Sequence, residues 1–135
     1  MTRHRAVLTA SLALLLATAS GCGATGDDAA ELSGEEARVA QVVEDLEEAA
    51  REGEERRICR QLLSADLARR AGDCNRAVSE ALDASDLSAL AVENVDIQGP
   101  SATARVASGT EEKERVTMQF ARVGRDWRIA AFGTR

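Results

Sequence analysis

Histidine and tyrosine are almost missing from this sequence. Of its 135 residues one is a histidine, His4, and none is a tyrosine. The large aromatics are Phe120, Trp127 and Phe132. Two common proton-transfer side chains are therefore absent from everything after residue 4, which excludes Ser/His/Asp catalysis. Imidazole is also missing from any metal site, and no Cys-x-x-Cys stands in for it, so no zinc, redox centre or other cofactor is expected. Lysine is reduced to Lys113, the other basic residues being arginines. Basic residues are outnumbered overall, with a formal charge of −6. An acidic chain of this kind is not expected to bind nucleic acid. A long apolar run is lacking too, since Ala6 to Ala19 falls short of the roughly 18 residues that a confident bilayer span requires.

What is present begins with an address. Arg3 and Arg5 precede the apolar run centred on Leu14-Leu15-Leu16, and small residues close it at Ala19-Ser20-Gly21 before Cys22. A basic start, a short apolar stretch and a small-residue exit describe a signal peptide over residues 1–21. The ending resembles the lipobox of bacterial lipoproteins, with Ala19 where leucine is usual. That resemblance implies cleavage before Cys22, lipid on its thiol, and a protein anchored to the cell membrane on the extracytoplasmic face. Two acyl chains hold a protein to a bilayer where one does not. With Cys22 committed to lipid, Cys59 and Cys74 remain as an even pair in an oxidising compartment, and a disulfide between them is expected. Beyond residue 21 the chain holds 15 basic and 23 acidic residues, a net −8.

Residues 22–33 are small, polar and acidic, and read as the lipidated cysteine and a flexible tether. A domain over 34–135 follows. Ser33 and Glu36 form a capping-box pattern ahead of Val39, Val42, Val43, Leu46, Ala49 and Ala50, which recur at helical spacing up to Gly53. Glu47/Arg51 and Glu52/Arg56 are spaced as supporting ion pairs. A second helix carries Ile58, Cys59, Leu62 and Leu63; Ser64 caps a turn holding Leu67, which Gly72 ends. Asp73 caps a third helix through Cys74, Ala77, Val78, Ala81 and Leu82, and a loop is expected from Asp83 to Ser88.

From Leu90 the apolar period changes to two. Val95 and Ile97 start it, Gly99-Pro100 turns the chain, and Ala102, Ala104 and Val106 share a face. Val116, Met118 and Phe120 line a third strand, and Gly124-Arg125-Asp126 leads into Trp127, Ile129 and Ala131. Helices followed by antiparallel strands give an α+β domain, with N-terminal helices packed on a sheet of about four strands. Ala121, Val123, Ala130 and Phe132 fall out of step, so either bulges re-aim them or the sheet's second face is also covered, as in a homodimer.

The order of tether, acidic helix, cysteine-bearing helices and closing strands resembles the nuclear-transport-factor-2-like fold. It is most similar to small actinobacterial lipoproteins carrying that fold. The residues behind this are Ile58-Cys59-Arg60-Gln61-Leu62-Leu63-Ser64, Ala71-Gly72-Asp73-Cys74 and Val123-Gly124-Arg125-Asp126-Trp127-Arg128-Ile129, within a span from Glu35 to Phe132. The resemblance implies a cone of helices and curved sheet with a pocket at its wide end. Isomerases, polyketide cyclases and non-catalytic binding modules share it, so it does not fix a function.

On that fold the closing hairpin forms part of the pocket wall. Phe120, Trp127 and Phe132 are then candidate pocket residues for a small apolar ligand, against the plainer role of core filling. Asp96 is the candidate base, against the plainer role of a solvated strand aspartate. Arg105, Lys113, Arg115, Arg122, Arg125 and Arg128 invite comparison with a basic stripe facing anionic headgroups or an acidic partner. The expectation is a lipid-anchored binding or accessory module, monomeric or homodimeric, for a small apolar ligand or an envelope protein. An isomerase-like or cyclase-like enzyme is the alternative.

Overall fold

A computed structural model describes Leu32 and residues 34–87, 89–109 and 114–133. Cys22, Ser33, Ser88 and Lys113 lie outside the described residues, and with them the lipidation site and half of the capping box.

Helix α1 runs over Glu35–Glu52 and stops where Gly53 turns left-handed. Gly34 occupies its N-cap without a side-chain cap. The expected stripe is its buried face: Val39, Val43, Leu46 and Ala49 are essentially inaccessible. Glu47 and Arg51 pair at 3.4 Å along the outer side. Gly53 puts Glu52 and Arg56 on different helices, so the second expected pair loses its helical register.

Next come a single turn, α2 (Glu55–Arg57), and a π-helical segment, Ile58–Leu62. Leu63 is not helical as expected. It bridges Ile129 in parallel, and Ser64 N–H donates to the Ile129 carbonyl at 2.8 Å. Helix α3 (Ala65–Arg70) is capped by Ser64 Oγ, and α4 (Cys74–Ala84) by Asp73. The segment expected as a loop from Asp83 is helical to Ala84.

Four antiparallel strands follow in chain order: β1 (Leu90–Gln98), β2 (Ser101–Ser108), β3 (Glu114–Val123) and β4 (Asp126–Phe132). Gly99 and Gly124 each take positive φ at the first position of a two-residue turn, as tight hairpins favour. The inward residues are those of the expected alternation: Val95, Ala102, Ala104, Val106, Met118, Phe120, Trp127 and Ile129. Helix α1 lies across this face, and the alanines of β2 leave room for its close approach.

Two bulges set which side chains face in. One at Glu93 keeps Leu90 and Val92 on the same side as Val95 and Ile97. The other, at Ala130, pairs Phe132 with Met118 and Ala131 with Gln119. Phe132 is thereby brought to the inner side, and Ala131 sent to the outer one against the simple alternation. Ala121 and Val123 stay on the outer face, where Val123 is exposed.

Candidate functional site

Helix α4 has an unusual position for an amphipathic helix. Cys74, Ala77, Val78, Ala81 and Leu82 fall on one stripe, yet no residue of α4 is buried. Its principal contacts are with α2 and the π-helical segment rather than with the sheet. A disulfide between Cys59 and Cys74, with Cα atoms 6.1 Å apart, ties its first turn to that segment. Cys74, Val78 and Leu82 are half-buried and rest against the core, and the remaining side of the stripe borders open space.

That space is a cleft in two parts. The inner part, about 220 Å³, has Leu46, Ile58, Leu63 and Leu67 as its floor, with Val78 and Leu82 above. Phe132 stands between the inner part and an outer part of about 440 Å³, which runs along Leu90, Val106, Val116 and Met118. Ser85, Asp86, Ser108 and Glu114 edge the outer part. Both carboxylates there are exposed. An apolar concavity with polar groups at one edge is suited to holding an apolar molecule.

The opposite end of the helix layer is closed by charge and hydrogen bonds. Trp127 Nε1 donates to Glu35 Oε2 at 2.9 Å, and Arg122 donates to the same oxygen at 2.9 Å. Arg122 also lies over the indole ring, 4.8 Å from its centroid. Arg38 holds Glu35 Oε1 at 3.1 Å. The Trp127 hydrogen bond, opposed by burial and helped by the Arg122 and Arg38 charges, holds the Glu35 carboxyl below its ordinary value. Nearby, Arg57 bonds Glu54 and Glu48 at 3.0 Å each, which raises its already high pKa. Two open surface grooves, of about 560 and 570 Å³, border these groups, and charged residues line both.

The structure separates the candidates named from sequence. Phe120 and Trp127 do not line the cleft; they are 2% and 3% exposed and fill the core. Trp127 meets a surface groove only on the α1 side, because Glu35 draws its indole N–H there. Of the three aromatics, Phe132 alone lines the cleft. Asp96 pairs with Thr103 on the outer face, is exposed, and accepts from Gln98 Nε2 at 2.9 Å. It lacks the desolvation that would make it a base.

Three arginines of the expected basic stripe have partners within the chain. Arg115 pairs with Glu93, Arg122 with Glu35, and Arg128 donates to the Arg60 and Gln61 carbonyls. Sequence reasoning missed α4 as a cleft wall. Its signal was available in Ala77 and Ala81, small residues beside Val78 and Leu82 on the apolar stripe. Among the described residues no three His, Cys, Asp or Glu side chains gather as a metal site, and no helix is long and apolar enough to cross a membrane.

No protein-family profile matches the chain, and no curated protein matches it either. Among solved structures, a designed protein of the nuclear-transport-factor-2 fold superposes with a TM-score of 0.51 at 14% identity. The match covers 74% of this chain and 98% of the designed one. This likeness shows the fold, helices on a curved four-stranded antiparallel sheet, and a fold does not by itself fix a function.

Proposed function

We propose that this protein is a lipid-anchored extracytoplasmic module that holds a small apolar ligand in the cleft beneath α4 without transforming it. The observation that carries the reading is the half-buried apolar stripe of α4, which lines a wholly apolar concavity together with Leu46, Ile58, Leu63 and Leu67. An amphipathic helix normally buries such a stripe fully against the core, and here a concavity beside it leaves the stripe half-buried. The anchor rests on the basic start, the apolar run and Ala19-Ser20-Gly21-Cys22. The Cys59–Cys74 disulfide supports the oxidising address.

The choice of binding over catalysis is supported by the residues at hand. The described lining of the inner cleft is wholly aliphatic apart from Phe132, so it offers no proton donor or acceptor side chain. Asp86 and Glu114, at the outer edge, are exposed to water. A small ligand is favoured over an envelope protein because the outer sheet face carries Asp96, Thr103, Arg105, Thr117 and Gln119, all exposed and polar. The test is native mass spectrometry of protein isolated from its own host's envelope, alongside a Cys22→Ala variant. A retained apolar ligand and loss of Cys22→Ala from the membrane fraction are expected. A ligand-free protein that ignores apolar probes, or a chemically altered product, would overturn the binding reading.

A further inference from the structure

The two parts of the cleft share Ala81, Leu87 and Phe132, so they form one slot rather than two sites. Polarity changes along it in one direction. The described residues of the inner part are all apolar, from Leu46 beneath to Val78 and Leu82 above. The polar side chains, Ser85, Asp86, Ser108 and Glu114, belong to the outer part. The inner part, at about 220 Å³, is also smaller than the roughly 300–1,000 Å³ that encloses a drug-sized molecule. A ligand that fills the inner part and also reaches the polar edge of the outer one is therefore elongated, as a straight chain is.

We infer that the slot takes a single straight hydrocarbon chain with one polar end, its tail beneath Val78 and Leu82 and its polar end at Ser85 and Ser108. The inference rests on the cleft being a binding site and adds the shape and direction of the ligand. Removing the tail from water supplies the affinity, and the polar end keeps its hydrogen bonds at the open edge. The Cys59–Cys74 bond fixes the first turn of α4, so the slot keeps its inner end while α4 reaches over it toward Ala84.

Calorimetric titration with straight-chain 1-alkanols of increasing length tests this. Each added methylene should tighten binding by about fourfold until the slot is full, after which the gain should stop. Ala81 lies at the junction of the two parts and is exposed on α4, a position that accepts a larger side chain without disturbing the core. Ala81→Trp should end the gain at shorter chains, with the thermal unfolding midpoint unchanged. Compact binding of naphthalene without any dependence on alkanol length would overturn the inference and leave the binding reading intact. Failure of both alkanols and naphthalene to bind would overturn the two together. An unchanged length limit in Ala81→Trp would place the chain elsewhere and overturn the assigned path.

Discussion

Helices α1 and α4 carry the same kind of apolar stripe, and the fold buries the two to different depths. Val39 and Ala49 of α1 are wholly buried, while α4 buries no residue. The difference lies in what faces each stripe. Beneath α1 are Ala102 and Ala104, whose small side chains admit a close helix, with Phe120 and Ile129 filling the remaining volume. Beneath α4 the cleft separates much of the helix from the sheet, and Cys59 holds the helix by its first turn. Amphipathicity thus decides which side of a helix faces inward. Whether that side is filled depends on the partner surface and on covalent tethers.

The sharpest break in this comparison comes from the packed side. Phe120→Ala should cost about 3–5 kcal/mol, because the ring is fully enclosed and its neighbours can only partly collapse. Against a typical stability of about 5–15 kcal/mol, such a loss should show as a large drop in the denaturant midpoint. A small effect would mean that the α1 side is looser than described.

The next largest effect is expected at the tether. Cys59→Ser should cost about 3 kcal/mol, as the chain-entropy model gives for a loop of this size, whose cysteines are 15 positions apart. Because α4 is otherwise only half-buried, hydrogen exchange in Cys74–Ala84 should quicken more than in α1. Uniform quickening throughout the domain would contradict the distinction between the two helices.

A subtler effect belongs to the clasp between α1 and the hairpin. The folded protein holds the Glu35 carboxyl below its ordinary value of 4.5, so its stabilising effect is present above that value. It is lost as the pH falls through the depressed folded value. Glu35→Gln should therefore be less stable than the parent at neutral pH, and the gap should close under acid conditions. Since Glu35 is partly exposed, the gap should be modest and shrink with salt. A gap independent of pH, measured by thermal unfolding, would assign the effect to packing rather than charge.

Much of this arrangement was legible in the residues. The helical spacing from Val39 to Ala49 gave the buried face of α1, and alternation from Ala102 to Val106 and from Val116 to Phe120 gave the sheet's inner side. Ser64 and Asp73 marked two helix starts, because a side-chain oxygen there meets an orphan N–H. Leu63 was misread as helical because its bridge to Ile129 is a contact 66 positions away that local spacing cannot contain. Trp127 was misplaced for a similar reason: Glu35, 92 positions earlier, draws its N–H to the other end of the helix layer. The out-of-step Phe132 did announce a bulge, and that bulge puts it in the cleft.

The account's central claim is that an apolar molecule binds beneath α4 and not against the packed α1 side. An amide and indole NMR titration with a saturating 1-alkanol reads both sides in one experiment, because the sequence has a single tryptophan and so a single indole N–H. Shifts should concentrate at Val78, Leu82, Leu87 and Phe132, with the Trp127 indole signal, held by Glu35, nearly still. A titration that moves the Trp127 indole and leaves α4 unchanged would contradict the claim.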